Sequence, residues 1–149
     1  MIRAFFAVAA IALGVGVALA QQDPIAARRA LMKANGDEAK AGAAMAKGEA
    51  PFDLAKARKM FSTFEDAAAK APSLFPDNSK TGGDTAAKPE IWTEPAKFAA
   101  ARDAFVAEAA KFRTIANAGD DAAIRAEVPR LGATCGGCHD SFREKEPAK

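Results

Sequence analysis

The sequence predicts an all-α protein, an antiparallel four-helix bundle whose helices run up, down, up and down. The chain is rich in Ala, Lys, Glu and Asp, it has no Tyr among its 149 residues, and its mature part is poor in β-branched residues. This composition favours helices over strands. Four segments carry apolar residues at helical spacing. The first and third connections between them are short, so we expect those neighbours to be antiparallel.

Signals at their ends mark the first two helices. The first is predicted from about Pro24 to Lys47, because proline suits a first helical turn and Gly48 suits the end. The second begins near Asp53, a good N-cap residue, and ends near Pro72. Its apolar face consists of Leu54, Ala57, Met60, Phe61 and Phe64.

Residues 71 to 95 form a long crossover, because their prolines and glycines forbid a continuous helix. The pairs Leu74-Phe75 and Ile91-Trp92 are the apolar residues able to anchor this segment against the bundle. Trp92 is either a core cap or a functional aromatic residue, and we expect a core cap.

The last two helices lead to the C-terminus. The third is predicted from about Pro95 to Asn117, and the fourth from Asp120 to around Glu146. Pro129 lies inside the fourth, and an interior proline removes a helical hydrogen bond. We therefore expect either a bend there or a helix that starts at Pro129.

The N-terminus is typical of a secretory signal peptide. Arg3 precedes an apolar run, and Ala18-Leu19-Ala20 precedes Gln21. We expect residues 1–20 to be removed, leaving residues 21–149 as one periplasmic domain. A permanent anchor is the alternative, but the run is short for a spanning helix, so we expect no stable membrane insertion. The formal net charge is only +2, so the chain lacks the basic excess that is typical of nucleic-acid-binding proteins.

The run Cys135-Gly136-Gly137-Cys138-His139 has the spacing of the attachment motif of c-type haem. On a helix its two thiols and imidazole share one face. The thiols would form two thioethers with one haem, and His139 would give a nitrogen to the iron. A redox dithiol needs a βαβ context, and a zinc site needs four ligands, whereas this chain has two Cys and one His.

A second protein ligand to the iron would have to be methionine, since His139 is the only imidazole. Met32 would lie about 12 Å from the start of the first helix, and His139 about 10 Å from the end of the fourth, so their levels match. We expect Met45 and Met60 to be core residues. On geometry alone, an iron without a sixth protein ligand remains the main alternative.

A Cys-x-x-Cys-His motif near the C-terminus of a helical chain this size resembles class II c-type cytochromes, the cytochrome c prime family. The segments Lys47 to Asp53, Pro89 to Trp92 and Cys135 to Arg143 look like those of the family, in the expected order. The resemblance puts the family's distal position on Met32, where high-spin members commonly have Leu. The stretch Leu31 to Gly36 is similar to the low-spin, methionine-ligated branch, which implies Met32 as the sixth ligand.

The resemblance implies further site residues. Arg28 resembles the family's arginine near a haem propionate, with a solvated helix charge as the alternative and Arg29 as its rival. Phe75 corresponds to an aromatic residue of the haem pocket, and Arg143 to the basic residue beside the proximal imidazole. Gly132 costs about 1 kcal/mol inside a helix. A close approach of the cofactor or of a neighbouring helix would explain it.

The predicted function is soluble periplasmic electron transfer by one six-coordinate, low-spin c-type haem. We expect no enzyme, because no carboxylate pair or activated nucleophile can be assembled. The first alternative is a five-coordinate cytochrome c prime that binds nitric oxide or carbon monoxide as a scavenger or sensor. A peroxidase-like activity would also need an open iron, and the chain lacks a distal His. The expected partners are redox proteins, and the resemblance permits a homodimer through the first two helices.

Overall fold

The computed structural model describes residues 23–145, in which regular secondary structure is helical apart from one isolated β-bridge. The helices are α1 (Pro24–Lys47), α2 (Leu54–Lys70), the short α3 (Glu90–Thr93), α4 (Pro95–Ala118) and α5 (Asp121–Phe142). None of these helices is both long enough and apolar enough to span a bilayer. The predicted signal peptide, residues 1–20, lies outside the described residues.

The helix ends follow the local signals in the sequence. The Asp23 carboxylate accepts a hydrogen bond from the backbone N–H of Ile25 at 3.0 Å, at the start of α1. Gly48 ends that helix with a φ of 78°, which glycine adopts without strain. Asp120 caps α5 by accepting from the N–H of Ala123 at 3.0 Å.

The four long helices form a bundle in which α1 and α4 each contact both α2 and α5. The core lies where α2 faces α4 and α5, and its large side chains are almost wholly buried: Met60, Phe61, Phe64, Phe112, Ile124 and Leu131. The predicted antiparallel four-helix bundle is confirmed.

The structure excludes one alternative for the fourth helix and corrects the position of its end. The helix α5 is continuous from Asp121 through Pro129, so no helix starts at Pro129, and the bend expected there stays a prediction. The helix ends at Phe142 rather than near Glu146, because the following backbone pairs with the crossover. The Lys88 N–H donates to the Phe142 carbonyl at 3.0 Å, and the Glu144 N–H donates to the Ala86 carbonyl at 2.8 Å.

Candidate haem site

The attachment motif lies in the last turns of α5, where Cys135, Cys138 and His139 are all half-buried and both thiols are free. Burial raises the pKa of both thiols. Burial, reinforced by the positive charge of Arg143 and opposed by Asp140, lowers the pKa of His139. The imidazole is therefore neutral at pH 7, the form that binds a metal ion.

The contacts between α1 and α5 define which residues of the two helices lie opposite each other. A Cβ built at Gly42 would lie 3.8 Å from Val128 Cγ1. Three residues further along α1, the Met45 carbonyl accepts a hydrogen bond from Arg125, three residues back on α5. Both contacts fit one antiparallel register. If the two helices keep this register for ten more residues toward the other end of the bundle, Met32 would lie opposite Cys138.

The heights of Met32 and His139 in the bundle were predicted by counting residues from the helix ends. The α1–α5 register gives a better basis for comparing them. That count is wrong for His139, because α5 ends at Phe142. The α1–α5 register instead puts Met32 within one residue of the level of His139, which is about 1.5 Å along the helix axis. The match in level between Met32 and His139 stays a prediction, now argued from the α1–α5 register rather than from the helix ends.

The three methionines of the described chain differ in burial. Met45 is 5% exposed and Met60 is 1% exposed, so both are core residues as predicted. Met32 is 40% exposed. Of the three thioethers, only that of Met32 is therefore not packed in the apolar core.

Arg28 is buried, with 5% of its surface exposed. Its guanidinium donates to the Leu74 carbonyl at 3.2 Å, to Ser79 Oγ at 2.8 Å, to the Ser79 carbonyl at 2.9 Å and to Thr85 Oγ1. All of these acceptors are neutral. Burial lowers the pKa of Arg28, and the Asp23 carboxylate partly opposes that shift. Arg28 therefore ties the crossover to α1.

Arg28 is therefore not a solvated charge on the helix surface, the alternative given above. Its rival Arg29 is such a charge. Arg29 is exposed and forms a surface ion pair of 2.8 Å with Asp84. Such pairs contribute little to stability.

A row of aromatic rings connects the crossover to the end of α5. The centroid of Phe75 lies 5.0 Å from that of Phe98, which lies 5.2 Å from that of Phe142. The Arg28 guanidinium lies 5.2 Å from the Phe75 ring. Trp92 donates its indole N–H to the Phe75 carbonyl at 3.0 Å. Trp92 thus anchors the crossover, as expected, and Phe75 lies at the level of the last turn of α5.

An apolar cavity of about 420 Å³ lies between α1, α2 and α5 and reaches Cys135. Its walls include Ala39, Ala43, Met60, Phe64, Val128 and Gly132. A Cβ built at Gly132 would meet no atom within 4 Å, so a close approach of a neighbouring helix is the wrong explanation for this glycine.

The family profile described as Cytochrome C' matches residues 23–143. The chain belongs to the cytochrome c prime family. It is 44% identical over 138 residues to cytochrome c' of Rhodopseudomonas palustris, covering 91% of this chain and 92% of that protein. It is 34% identical over 152 residues to cytochrome c-556 of the same bacterium, covering 98% and 99%. The solved cytochrome c' from Rhodopseudomonas palustris superposes with a TM-score of 0.76 at 42% identity, covering 85% of this chain and 100% of that structure.

The protein is therefore a class II c-type cytochrome with covalently attached haem, in a family of electron-transfer and gas-binding haem proteins. Its relatives include proteins called c' and c-556, and they do not assign it to the methionine-ligated branch. The residues present fit a haem. An apolar cavity adjoins Cys135, and Gly132 leaves open space one turn before it. The cavity is within the usual size range of cofactor sites.

Three polar residues near this site escaped sequence reasoning. Ser79 and Thr85 carried no signal, because their partner Arg28 lies in a different part of the chain. Asn35 carried a weak signal, since Asn is a poor helix former and lies mid-helix, seven residues from both Arg28 and Gly42. Its Oδ1 is buried and has no hydrogen-bond partner among the described residues.

Proposed function

We propose that this cytochrome is a soluble periplasmic one-electron carrier whose haem is bound by Cys135 and Cys138 and whose iron is held by His139 and Met32. The α1–α5 register carries the proposal, because it brings Met32 opposite Cys138 while the apolar core leaves the Met32 thioether unused. The bound haem supplies a one-electron change at iron. The chain supplies the ligands and a largely apolar surrounding.

The side chains around the ligands have distinct roles in this proposal. His139 is the proximal ligand, and the charge of Arg143 helps to keep its imidazole neutral. Arg28 binds a haem propionate. Its four terminal N–H groups bind neutral acceptors, so a propionate at the remaining Nε–H would bring a carboxylate to this buried cation. Phe75, beside that guanidinium, forms part of the pocket wall.

The cellular setting is also part of the proposal. Residues 1–20 direct export, and haem attachment leaves no thiol for a structural disulfide. Redox proteins are the partners, and α1 with α2 supplies the face for a homodimer. The protein is not an enzyme, because its single His is used as an iron ligand.

The second candidate is a five-coordinate haem protein that binds nitric oxide or carbon monoxide. The names of the relatives favour it over His/Met ligation. The 44% identical relative is a cytochrome c'. A ferrous variant of cytochrome c prime from Alcaligenes xylosoxidans has been solved with bound NO, and it superposes with a TM-score of 0.74 at 29% identity. This candidate requires that Met32, 40% exposed, does not bind iron or leaves it readily.

The absorption spectrum and carbon monoxide binding of the purified holoprotein test the proposal. Coordination by Met32 predicts a low-spin ferric spectrum with a weak sulfur-to-iron charge-transfer band, and little binding of carbon monoxide to the ferrous form. A high-spin ferric spectrum with rapid carbon monoxide binding would refute Met32 ligation and support the gas-binding candidate.

A further inference from the structure

Asn35 is a polar residue on the core-facing side of α1. It lies seven residues after Arg28 and seven before Gly42, both of which are buried. A seven-residue interval is nearly two full helical turns, so the three positions share one face. The α1–α5 register brings Asn35 opposite Cys135, one turn from Met32. With a haem attached at Cys135, the Asn35 amide would face the haem from the same helix as the proposed sixth ligand.

Asn35 Oδ1 needs a hydrogen-bond donor that residues 23–145 do not supply. A buried acceptor without a partner is costly, and buried polar groups are almost always paired. At the same level of α5, the Thr134 hydroxyl already donates to the Leu131 carbonyl at 2.7 Å. The Cys135 thiol loses its proton when it forms a thioether. Among the residues that the structure describes, none donates to the Asn35 oxygen.

The haem offers no hydrogen-bond donor to the Asn35 oxygen either. Its thioether edge carries no N–H or O–H group. The propionates are assigned to Arg28, which lies seven residues from Asn35, about 10 Å along the helix axis. A water molecule is the remaining donor. It requires at least two polar partners, and the backbone carbonyls one turn earlier in α1 each keep a second lone pair.

We propose that Asn35 holds an internal water molecule on the distal side of the haem, and that the amide and its water set the polarity of the distal pocket. The inference rests on the proposed attachment through Cys135 and on the distal position of Met32. Ferric iron carries one more positive charge than ferrous iron, so a polar pocket favours the ferric form. Asn35 therefore lowers the reduction potential.

The test uses the holoprotein and three variants. Asn35→Leu replaces the amide by a hydrocarbon side chain of similar size, and Asn35→Ser keeps an oxygen with room for water. Asn117→Leu, on the exposed last turn of α4, is the matched control. We expect Asn35→Leu to shift the ferric–ferrous equilibrium toward ferrous iron by about fivefold to tenfold, the scale of one buried hydrogen bond. Asn35→Ser should have a ferric–ferrous equilibrium close to that of the wild type, and Asn117→Leu should leave the wild-type equilibrium unchanged.

A high-resolution structure of the wild-type holoprotein should contain an ordered water within hydrogen-bonding distance of the Asn35 side chain. The inference is overturned if that water is absent or if Asn35→Leu leaves the reduction potential at the control value. It is also overturned if the reduction potential of Asn35→Ser equals that of Asn35→Leu. If Asn35→Leu takes up no haem, the wild-type structure and the serine variant decide. Met32 ligation is decided separately by the wild-type spin state, so failure of one hypothesis is distinguishable from failure of the other.

Discussion

Met32 and Met60 show how burial separates two residues of the same type. The Met60 thioether is enclosed at the contact of α1 and α2, where a Cβ added at Gly42 would collide with its sulfur. Met32 has no such enclosure and is 40% exposed. Met60 thus fills space in the core, whereas Met32 is an iron ligand in our proposal.

Replacement of Met32 by Leu should convert a low-spin haem into a high-spin one. The sulfur-to-iron band should disappear, carbon monoxide should bind readily, and the reduction potential should fall, because a thioether stabilises ferrous iron relative to ferric iron. Absorption spectroscopy and redox titration measure these changes. The control Met60→Leu conserves volume and should cost less than about 1.5 kcal/mol, with the spectrum unchanged. Equal spectra for wild type and Met32→Leu would contradict the assignment.

Single residues differ in how far the sequence could predict them. The proposed haem-attachment residues and the core position of Met60 follow from local spacing. The burial of Arg28 does not, because it depends on Ser79 and Thr85, which only the folded crossover brings to α1. Asn35 was missed for a related reason, since its unpaired oxygen is visible only once the opposite helix is in place.

The crossover between α2 and α4 is held at several places. Arg28 binds it near the start of α1, and its residues 86–88 pair with the end of α5. The ring of Phe75 packs on Phe98 of α4. A long segment without a long helix is thus fixed to three of the four helices of the bundle.

Replacement of Arg28 by Ala should release this segment. The loss of its charged hydrogen bonds should destabilise the protein by roughly 3 kcal/mol and increase hydrogen exchange at residues 79–88. Thermal unfolding and exchange measured by mass spectrometry would check both effects. The neighbouring Arg29→Ala removes only an exposed ion pair and should cost less than about 1 kcal/mol. Equal effects of the two substitutions would show that Arg28 does not hold the crossover.

The contact between α4 and α5 contains a buried carboxylate, Glu127, which is 4% exposed. Its oxygens accept from Lys111 at 2.6 Å and from Arg130 at 3.3 Å. A hydrogen bond accepted from the Glu108 carboxyl group, together with the one accepted from Lys111, lowers the pKa of Glu127, and burial opposes that shift. A carboxyl group with a lowered pKa stabilises the fold above its unfolded pKa, and that contribution is lost as the pH falls through the folded value.

Replacement of Glu127 by Gln should therefore lower stability near pH 7 by roughly 1–2 kcal/mol. The difference from wild type should shrink as the pH falls below the ordinary glutamate value of 4.5. Chemical unfolding at a series of pH values measures this. The control is Glu65→Gln, which breaks the more exposed 2.6 Å pair with Arg113 and should change stability by less than about 1 kcal/mol. A constant difference across the acid range would contradict the lowered pKa.

Helix limits were predictable where they depend on local chemistry. The signals of Pro24 and Gly48 marked α1 as about Pro24 to Lys47, as the structure has it. The end of α5 was not predictable in this way, because backbone pairing with the distant crossover ends that helix at Phe142. Tertiary hydrogen bonds of this kind leave no periodic pattern in the sequence.

For the molecule as a whole, we expect export and haem attachment to act on opposite ends of the chain. The protein purified from the periplasm should begin at Gln21 and carry the added mass of one haem. Intact mass spectrometry measures both. The haem should remain with the polypeptide through denaturing electrophoresis, and the double substitution Cys135→Ala and Cys138→Ala should abolish this retention. Haem still covalently bound in the double variant would refute the attachment site.

The contact of α1 with α5 joins the first and last helices of the chain, which no short loop connects. In the proposed site, a bond from Met32 to iron carried by α5 would close a loop of about 100 residues, and a permanent cross-link of that span stabilises a fold by about 4–5 kcal/mol through the entropy of the unfolded chain. Since a thioether prefers ferrous iron, this closure should be tighter after reduction. The reduced cytochrome should therefore resist unfolding more than the oxidised one, and gain of an electron would itself become a stabilising event for the whole bundle.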